Sequence, residues 1–212
     1  MLADFRACYT PPLIELLDRQ LAGVQVPELR TAMAHLLGRG KLFRPLLALA
    51  TYQALTGLDP TPVLPWVAPL ELVHTFTLIH DDLPCMGDAQ LRRGMTTVHV
   101  AHGEALAVLA GDALLNLALD WLATGDAGSL AARANRAAPY APTNLQRLAL
   151  AGSVTRATHA VVEGQVLELL GEQRALSERE IRTMYRCKTR KMITMGSVMI
   201  RTAAANMGQL LP

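Results

Sequence analysis

The sequence contains few aromatic and few charged residues. Aromatic residues make up 4% of its 212 residues and charged residues 18%, whereas 51% are hydrophobic. This apolar content excludes a disordered chain, and a core of Leu, Ala, Val and Met favours helices over a β-sandwich. The formal net charge is only +2, with basic residues spread along the chain. We therefore expect no nucleic-acid partner.

The cysteines form no recognisable pattern. There are three, an odd number without the spacing of a metal site: Cys8, Cys85 and Cys187. Such a set is typical of reduced thiols, and we expect a cytoplasmic protein. The N-terminus has Asp4 and no apolar run before Pro11, so no signal peptide is expected there.

No segment is expected to cross a membrane. The most apolar stretch, residues 105–123, contains Asp112, Asn116 and Asp120. A transmembrane helix holds almost no such residues near its centre. We therefore interpret this stretch as a buried helix and predict no transmembrane segment.

Helical signals follow one another along the chain with short breaks. Proline starts, apolar periodicity and glycine stops predict helices over residues 12–21, from 27 to the loop at 38–40, 43–55, 70–83 and 104–123. Thr143–Gln146 and Ser177–Glu180 fit capping boxes and mark two further helix starts. Residues 125–142, rich in Gly, Ala and Pro, predict a loop with room for a short helix. With no convincing strand, we predict one all-α domain spanning residues 1–212.

The segment LIHDDLPCMGDAQLRRG, residues 78–94, carries the strongest chemical signal. Asp81 and Asp82 end an apolar helix, Asp88 follows beyond a proline, and Arg92 and Arg93 come next. Carboxylates at a helix C-terminus oppose the negative end of its dipole, which favours a bound cation. Mg²⁺ is held by one or two carboxylates plus substrate phosphates, and arginines match phosphate geometry. The pattern indicates a magnesium–diphosphate site, although a solvated, internally paired helix end explains the charges equally well.

Further basic groups extend this signal. Lys41 and Arg44 lie three apart at a predicted helix start, where they would share one face near anion-binding N–H groups. Lys188–Lys191 adds basic groups on a later helix. His74 lies seven residues before Asp81, on nearly the same helix face, although a lone helix histidine is more often a core residue than a ligand.

These segments together resemble the trans-polyprenyl diphosphate synthases, most closely the bacterial farnesyl diphosphate synthase group. The motifs that match, in order, are GKLFRP (40–45), LVHTFTLIHDDLPCMGDAQLRRG (72–94), LAGDALL (109–115), VEGQVLEL (162–169) and KTRKMI (188–193). The resemblance runs from about residue 12 onward. It implies an isoprenoid-synthase-type helical bundle around a central cavity, and a homodimer.

The resemblance implies a magnesium site beside an allylic diphosphate. In the family the aspartate-rich segment binds Mg²⁺, a role that would fall to Asp81 and Asp82, with Asp88 as the candidate third ligand. Arg92 resembles the arginine that contacts the allylic diphosphate, and Arg93 the one that contacts isopentenyl diphosphate.

The other motifs imply the remaining substrate contacts. Lys41, Arg44 and His74 match the isopentenyl diphosphate pocket. The allylic side is matched by Lys188 and Thr189, and the glutamine beside the hydrocarbon by Gln165. An aromatic residue at the position of Phe76 is expected to limit the product to farnesyl length, although an ordinary core phenylalanine fits this spacing equally well.

The implied reaction is the Mg²⁺-dependent condensation of isopentenyl diphosphate with an allylic diphosphate. The allylic C–O bond ionises, isopentenyl diphosphate adds to the cation, and a proton is removed. Magnesium and fixed cations stabilise charge on the leaving diphosphate, and an apolar cavity excludes water. The resemblance assigns the catalytic roles to Asp81, Asp82, Arg92 and Lys188.

The sequence departs from the family pattern at several positions. Gly87 stands where the family has its third metal aspartate, and Asp88 comes one residue later. Arg190 replaces a glycine, and Glu168 replaces an aspartate. The family also has a second aspartate-rich motif on a later helix, whereas the only Asp-Asp pair here is 81–82.

These departures leave three hypotheses open. The chain is an active synthase, with its C-terminal part apparently missing from this sequence. Alternatively, it is an inactive fragment or a non-catalytic subunit of a synthase heteromer. The third hypothesis is a terpene cyclase of related fold, which would not need the pocket of Lys41, Arg44 and His74.

Overall fold

The computed structural model describes residues 2–125 and 143–190 and confirms the all-α fold class. Its α-helices, in chain order, are α1 (Leu2–Leu21), α2 (Pro27–Ala34), α3 (Phe43–Thr56), α4 (Leu64–Val67), α5 (Pro69–Asp81), α6 (Val98–His102), α7 (Glu104–Thr124), α8 (Asn144–Gln173) and α9 (Glu178–Tyr185). A 3₁₀ turn, Thr61–Val63, precedes α4, and a π-helical turn, Arg186–Arg190, follows α9.

The core forms around α5 and α7. Apolar α5 side chains such as Leu72 and Ile79 are buried, and the alanines of α7 that face inward are almost wholly inaccessible. Gly111 on α7 lies against His80 on α5, because a Cβ at Gly111 would be 2.1 Å from the His80 Nε2 atom. Small residues on α7 therefore let the two helices approach closely, which fixes the C-terminal end of α5.

The predicted start of the first helix is wrong. The helix α1 begins at Leu2 and contains both Pro11 and Pro12. A proline inside a helix costs about 3 kcal/mol, but Leu13 and Leu17 are buried on one face of α1. Tyr9, which precedes both prolines, is also buried, and its hydroxyl donates a hydrogen bond to Asp59 at 2.9 Å, so tertiary contacts hold the first half of α1 as well.

Between α5 and α6 the structure contains a short hairpin that the sequence analysis missed. Strands β1 (Leu91–Arg92) and β2 (Met95–Thr96) pair antiparallel, with Arg92 opposite Met95. The two loop residues, Arg93 and Gly94, have φ of 56° and 79°, as the tight primed turns of hairpins require. Strands of two residues are too short to show alternation, which is why no strand was predicted.

Helix ends agree with the sequence where capping groups are present. Thr143 accepts a hydrogen bond from the Gln146 backbone N–H at 3.3 Å, and Ser177 accepts one from Glu180 at 3.3 Å, which confirms both capping boxes. Without such signals, two ends were predicted too late. Helix α2 ends at Ala34, and α5 ends at Asp81. The predicted loop at 125–142 lies almost wholly outside the described residues.

Two helical stretches are long and apolar enough to cross a membrane, judged by length and composition alone. They are Thr61–Asp81 and Glu104–Thr124. In the most apolar window of the first, 83% of the residues are buried inside the protein, as in the core helix of a soluble protein. In the second the buried share is 39%. The interpretation of residues 105–123 as a buried helix is therefore wrong, because one side of α7 is exposed, as at Val108 and Leu109.

Candidate functional site

A cavity of about 470 Å³ lies between the start of α3, the middle of α5 and the hairpin turn. We call it the cationic pocket, and the lining residues used below are Arg39, Gly40, Lys41, Arg44, Glu71, His74 and Arg93. The structure thus brings together the four residues assigned by resemblance to the isopentenyl diphosphate pocket: Lys41, Arg44, His74 and Arg93.

The loop before α3 gives one wall of the cationic pocket. Leu42 is buried with a left-handed φ of 48°, and α3 begins at the next residue, Phe43. Of Lys41 and Arg44, only Arg44 therefore lies in the first turn of the helix. The expectation that Lys41 shares that helix face is wrong, because the chain turns at Leu42, but both side chains still line the cavity.

Arg93 reaches the pocket from the hairpin turn. Its positive φ is uncommon for a residue other than glycine. The Arg93 Nη2 atom lies 3.2 Å from His74 Nε2, and because guanidinium groups only donate, His74 is the acceptor. A Cβ at Gly40 would lie 2.2 Å from Arg93 Nη1, so the absence of a side chain at Gly40 makes room for the guanidinium.

His74 is held neutral in this environment. Burial and, to a smaller extent, charge repulsion from Arg44 and Arg93 together lower the pKa of His74 to about 3. Since Nε2 accepts from Arg93, Nδ1 carries the ring proton. Nδ1 is buried without a hydrogen-bond partner among the described residues.

Glu71 is the residue of this pocket that the sequence analysis missed. It is 1% exposed, on α5 three residues before His74. Burial raises its pKa to about 7, while Arg93 and Arg44 oppose that shift. Glu71 Oε1 and Arg44 Nε both lack partners in the part of the chain that the structure describes. The sequence does contain a signal for Glu71. It is an acidic residue in a mostly apolar helix, one turn before the candidate ligand His74.

A second cluster lies at the C-terminal end of α5. We call it the aspartate corner, and it comprises Asp81, Asp82, Arg92, Glu168 and Lys188. Asp82 is fully buried. Arg92 Nε donates to both Asp82 carboxylate oxygens, at 3.0 and 3.1 Å, and this hydrogen bonding raises the pKa of Arg92.

Asp81 faces the other charges of the corner. Burial raises the pKa of Asp81, Lys188 lowers it, and Glu168 raises it again. Lys188 and Glu168 form an ion pair that links the π-helical turn to α8. Gly164 on α8 permits this approach, because a Cβ there would lie 2.8 Å from Lys188 Cγ.

The side chains of the corner would bind Mg²⁺ only if a bound ligand supplied further oxygen atoms. Asp81 offers carboxylate oxygens, the donors that Mg²⁺ prefers, whereas Asp82 is already bonded to Arg92. Within residues 2–125 and 143–190, no three His, Cys, Asp or Glu side chains form a ready metal site. Phosphate oxygens would have to complete the coordination, as is usual for magnesium in phosphate-transfer sites.

Asp88 lies apart from the charges of the corner. It is exposed, and its carboxylate accepts a hydrogen bond from Gln90 at 3.2 Å. Gly87 packs against the end of α5, where a Cβ would lie 2.8 Å from the Asp81 carbonyl oxygen. The assignment of Asp88 as a metal ligand stays a prediction.

The remaining predicted residues lie on α5, on α8 and in the π-helical turn. Gln165 Oε1 is buried without a partner among the described residues. Phe76 is buried, and its ring meets His80 edge-on with centroids 4.9 Å apart. Thr189 lies in the π-helical turn, and its side chain falls outside the described residues.

Comparisons with known proteins agree with the motifs. The family model for polyprenyl synthetase matches residues 26–209. A farnesyl diphosphate synthase of Geobacillus stearothermophilus is 39% identical over 180 residues, which is 84% of this chain and 57% of that protein. A chloroplastic geranylgeranyl pyrophosphate synthase of Arabidopsis thaliana is 50% identical over 94 residues, 44% of this chain and 27% of that protein.

Solved structures agree with the fold. A geranyltransferase from Legionella pneumophila superposes with a TM-score of 0.80 and 29% sequence identity. The alignment covers 95% of this chain and 68% of that one. The chain therefore spans about two thirds of the length of this structural relative, and less of the two relatives above.

Proposed function

The chain belongs to the polyprenyl synthetase family, and from this premise we propose that it is a prenyltransferase that condenses isopentenyl diphosphate with an allylic diphosphate. The observation that carries the proposal is the cationic pocket. Its lining includes four basic residues, Arg39, Lys41, Arg44 and Arg93, around a cavity of the size and charge that a small diphosphate needs.

The cationic pocket is assigned to isopentenyl diphosphate. Arg39, Lys41, Arg44 and Arg93 provide four positive charges around the cavity, and the neutral His74 lines it as well. Charge-assisted hydrogen bonds from guanidinium to phosphate are among the strongest in proteins. This pocket needs no metal to hold its ligand.

The aspartate corner is assigned to the allylic diphosphate. Asp81 would hold Mg²⁺ together with phosphate oxygens, and Arg92 and Lys188 are placed to contact the same phosphates. When bound, the metal supplies positive charge that stabilises the departing diphosphate. Asp82 positions Arg92 by accepting from its Nε, so its role in this structure is to orient the guanidinium.

Product length is assigned to Phe76. It lies on α5 five residues before Asp81, about one and a half helical turns along the axis. A buried aromatic ring at that depth supports a farnesyl-length product. Among the relatives above, one is named for a farnesyl and one for a geranylgeranyl product, so Phe76→Leu is the variant with which to examine product length.

We propose that the protein acts as a cytoplasmic homodimer. Leu109 and Val108 on α7 are 57% and 39% exposed, and the exposed apolar side of this helix supports its covering by a second copy of the chain. Sedimentation velocity measures the oligomeric state, and a monomer at assay concentration would contradict the assignment.

The proposed function is tested by incorporation of labelled isopentenyl diphosphate into acid-labile product. Geranyl diphosphate serves as co-substrate, with Mg²⁺ or with EDTA. We expect incorporation only with Mg²⁺, and loss of it in Asp81→Asn but not in Glu28→Gln, an exposed position on α2.

The same assay separates the alternatives. Hydrocarbon released from the allylic diphosphate without isopentenyl diphosphate would favour the cyclase. No incorporation by the chain alone, but stimulation of a complete synthase on mixing, would favour the non-catalytic subunit. Either result would contradict the proposed condensation for this chain.

A further inference from the structure

We propose that Glu71 is a positioning residue of the cationic pocket that takes up a proton when a diphosphate binds there. The inference rests on the proposed function, because it requires the pocket to hold a diphosphate. It assigns a role to a buried acid that lies outside the motif residues given a role above.

The position of Glu71 carries the proposal. It is almost wholly inaccessible yet lines the cavity. The charged and titratable groups around it are Arg44 from α3, Arg93 from the hairpin turn and His74 from its own helix, with Arg39 and Lys41 lining the same cavity. When it is ionised, the Glu71 carboxylate offsets part of the positive charge of these basic residues.

In the empty pocket the ionised carboxylate stabilises the guanidinium groups. Arg44 is largely buried, and both this burial and Arg93 lower its pKa, which shows that the two cations repel each other. Glu71 opposes that shift. The charge of the carboxylate therefore offsets the repulsion between the two arginines before the ligand arrives.

The charge balance reverses when a diphosphate enters. Its negative charges offset the positive charge of the arginines and repel the buried carboxylate. Like charges in one site favour protonation of one member. Burial already brings the pKa of Glu71 to about 7, so a modest further rise protonates it at neutral pH. The proton comes from solvent, and no covalent bond changes.

Calorimetry measures this proton directly. Isopentenyl diphosphate and inorganic pyrophosphate are titrated into the full chain with EDTA at about pH 8, where Glu71 is mostly ionised, in two buffers with different ionisation enthalpies. We expect the wild-type protein to take up most of a proton per ligand, and Glu71→Gln to take up much less. Glu28→Gln should behave like wild type.

Titration of the wild-type protein alone gives a second readout, independent of how Glu71→Gln folds. Between about pH 6.5 and about pH 8.5 the affinity for isopentenyl diphosphate should fall as pH rises, by up to about tenfold per unit. A merely structural role for Glu71 would not produce this slope.

The outcomes separate the two proposals. Binding with no proton uptake, or equal uptake in wild type and Glu71→Gln, overturns this inference alone. Failure of the wild-type protein to bind either anion overturns the assignment of the pocket to a diphosphate, and this inference with it.

Discussion

The cationic pocket and the aspartate corner lie at opposite ends of the same stretch of α5, but their charged groups differ in how far they are paired with each other. In the pocket, Arg44 Nε, Glu71 Oε1 and His74 Nδ1 are buried without partners among the described residues. In the corner, Arg92 is bonded to Asp82 and Lys188 is paired with Glu168.

This difference indicates how each region receives its ligand. The pocket has four basic residues, Arg39, Lys41, Arg44 and Arg93, against one acid, Glu71, so it offers an excess of positive charge to an anion. In the corner both basic residues are paired with acids and Asp81 is left over, so an added diphosphate would place negative charge beside a carboxylate. The pocket is therefore arranged in advance for its anion, whereas the corner needs a cation to enter with the ligand.

The largest expected effect comes from removing a charge of the pocket. Arg44→Met retains an apolar stem but removes the guanidinium, and hydrogen bonds to charged groups contribute about 1.5–3 kcal/mol. We expect the affinity for isopentenyl diphosphate, measured by calorimetry, to fall by roughly 10- to 100-fold. Binding of geranyl diphosphate with Mg²⁺ should stay unchanged, and an equal loss for both ligands would mean that the two regions are not separate sites.

An effect on stability follows from the neutral state of His74. Its pKa is lowered to about 3 in the folded protein, so stability from this group is present above its unfolded pKa of about 6.5 and is lost as pH falls. Between about pH 7 and pH 5, wild type should lose about 2 kcal/mol of unfolding free energy relative to His74→Gln. Denaturant titrations measure this difference.

Glu71 contributes with the opposite sign. Its pKa is raised to about 7, so its contribution is present below the unfolded value and is lost as pH rises through 7. Both variants retain Glu71, so comparing wild type with His74→Gln isolates the histidine. Parallel pH profiles of the two proteins would contradict the burial of a neutral His74.

A smaller effect is expected at Gly40. A Cβ there would lie 2.2 Å from Arg93 Nη1, at the end of a side chain that can move aside. We expect Gly40→Ala to leave the melting temperature nearly unchanged but to weaken isopentenyl diphosphate binding by about tenfold, or 1.4 kcal/mol.

Gly23→Ala is the matched control for this prediction. Its nearest contact would be ordinary, at 3.4 Å from a backbone oxygen. A large loss of stability in Gly40→Ala, or unaltered binding, would show that the position of Arg93 does not depend on Gly40.

Much of the fold could be predicted because its signals are local. The apolar periodicity of α7 and the capping boxes of α8 and α9 depend on residues within a few positions of each other. The start of α1 and the hairpin could not be predicted in this way. Tyr9, which precedes the prolines, is held by burial and by a hydrogen bond to the distant Asp59, and each strand has only two residues.

The site was predictable to a similar extent. Motif resemblance indicated Lys41, Arg44, His74 and Arg93 as one pocket, and the structure brings them together. The ion pair of Lys188 with Glu168 joins residues 20 apart in the sequence, so only the tertiary structure reveals it. Glu71 was missed because, in an apolar helix, it interrupts the periodicity instead of adding to it.

The most direct test of the difference between the two regions is the effect of Mg²⁺ on each ligand. Calorimetry with wild type and Asp81→Asn would measure the affinity for isopentenyl diphosphate and for geranyl diphosphate, with Mg²⁺ or with EDTA. We predict that Mg²⁺ strengthens geranyl diphosphate binding in wild type but not in Asp81→Asn, and that isopentenyl diphosphate binds equally in all four conditions. Equal affinity of wild type for geranyl diphosphate with and without Mg²⁺ would contradict the assignment of the aspartate corner.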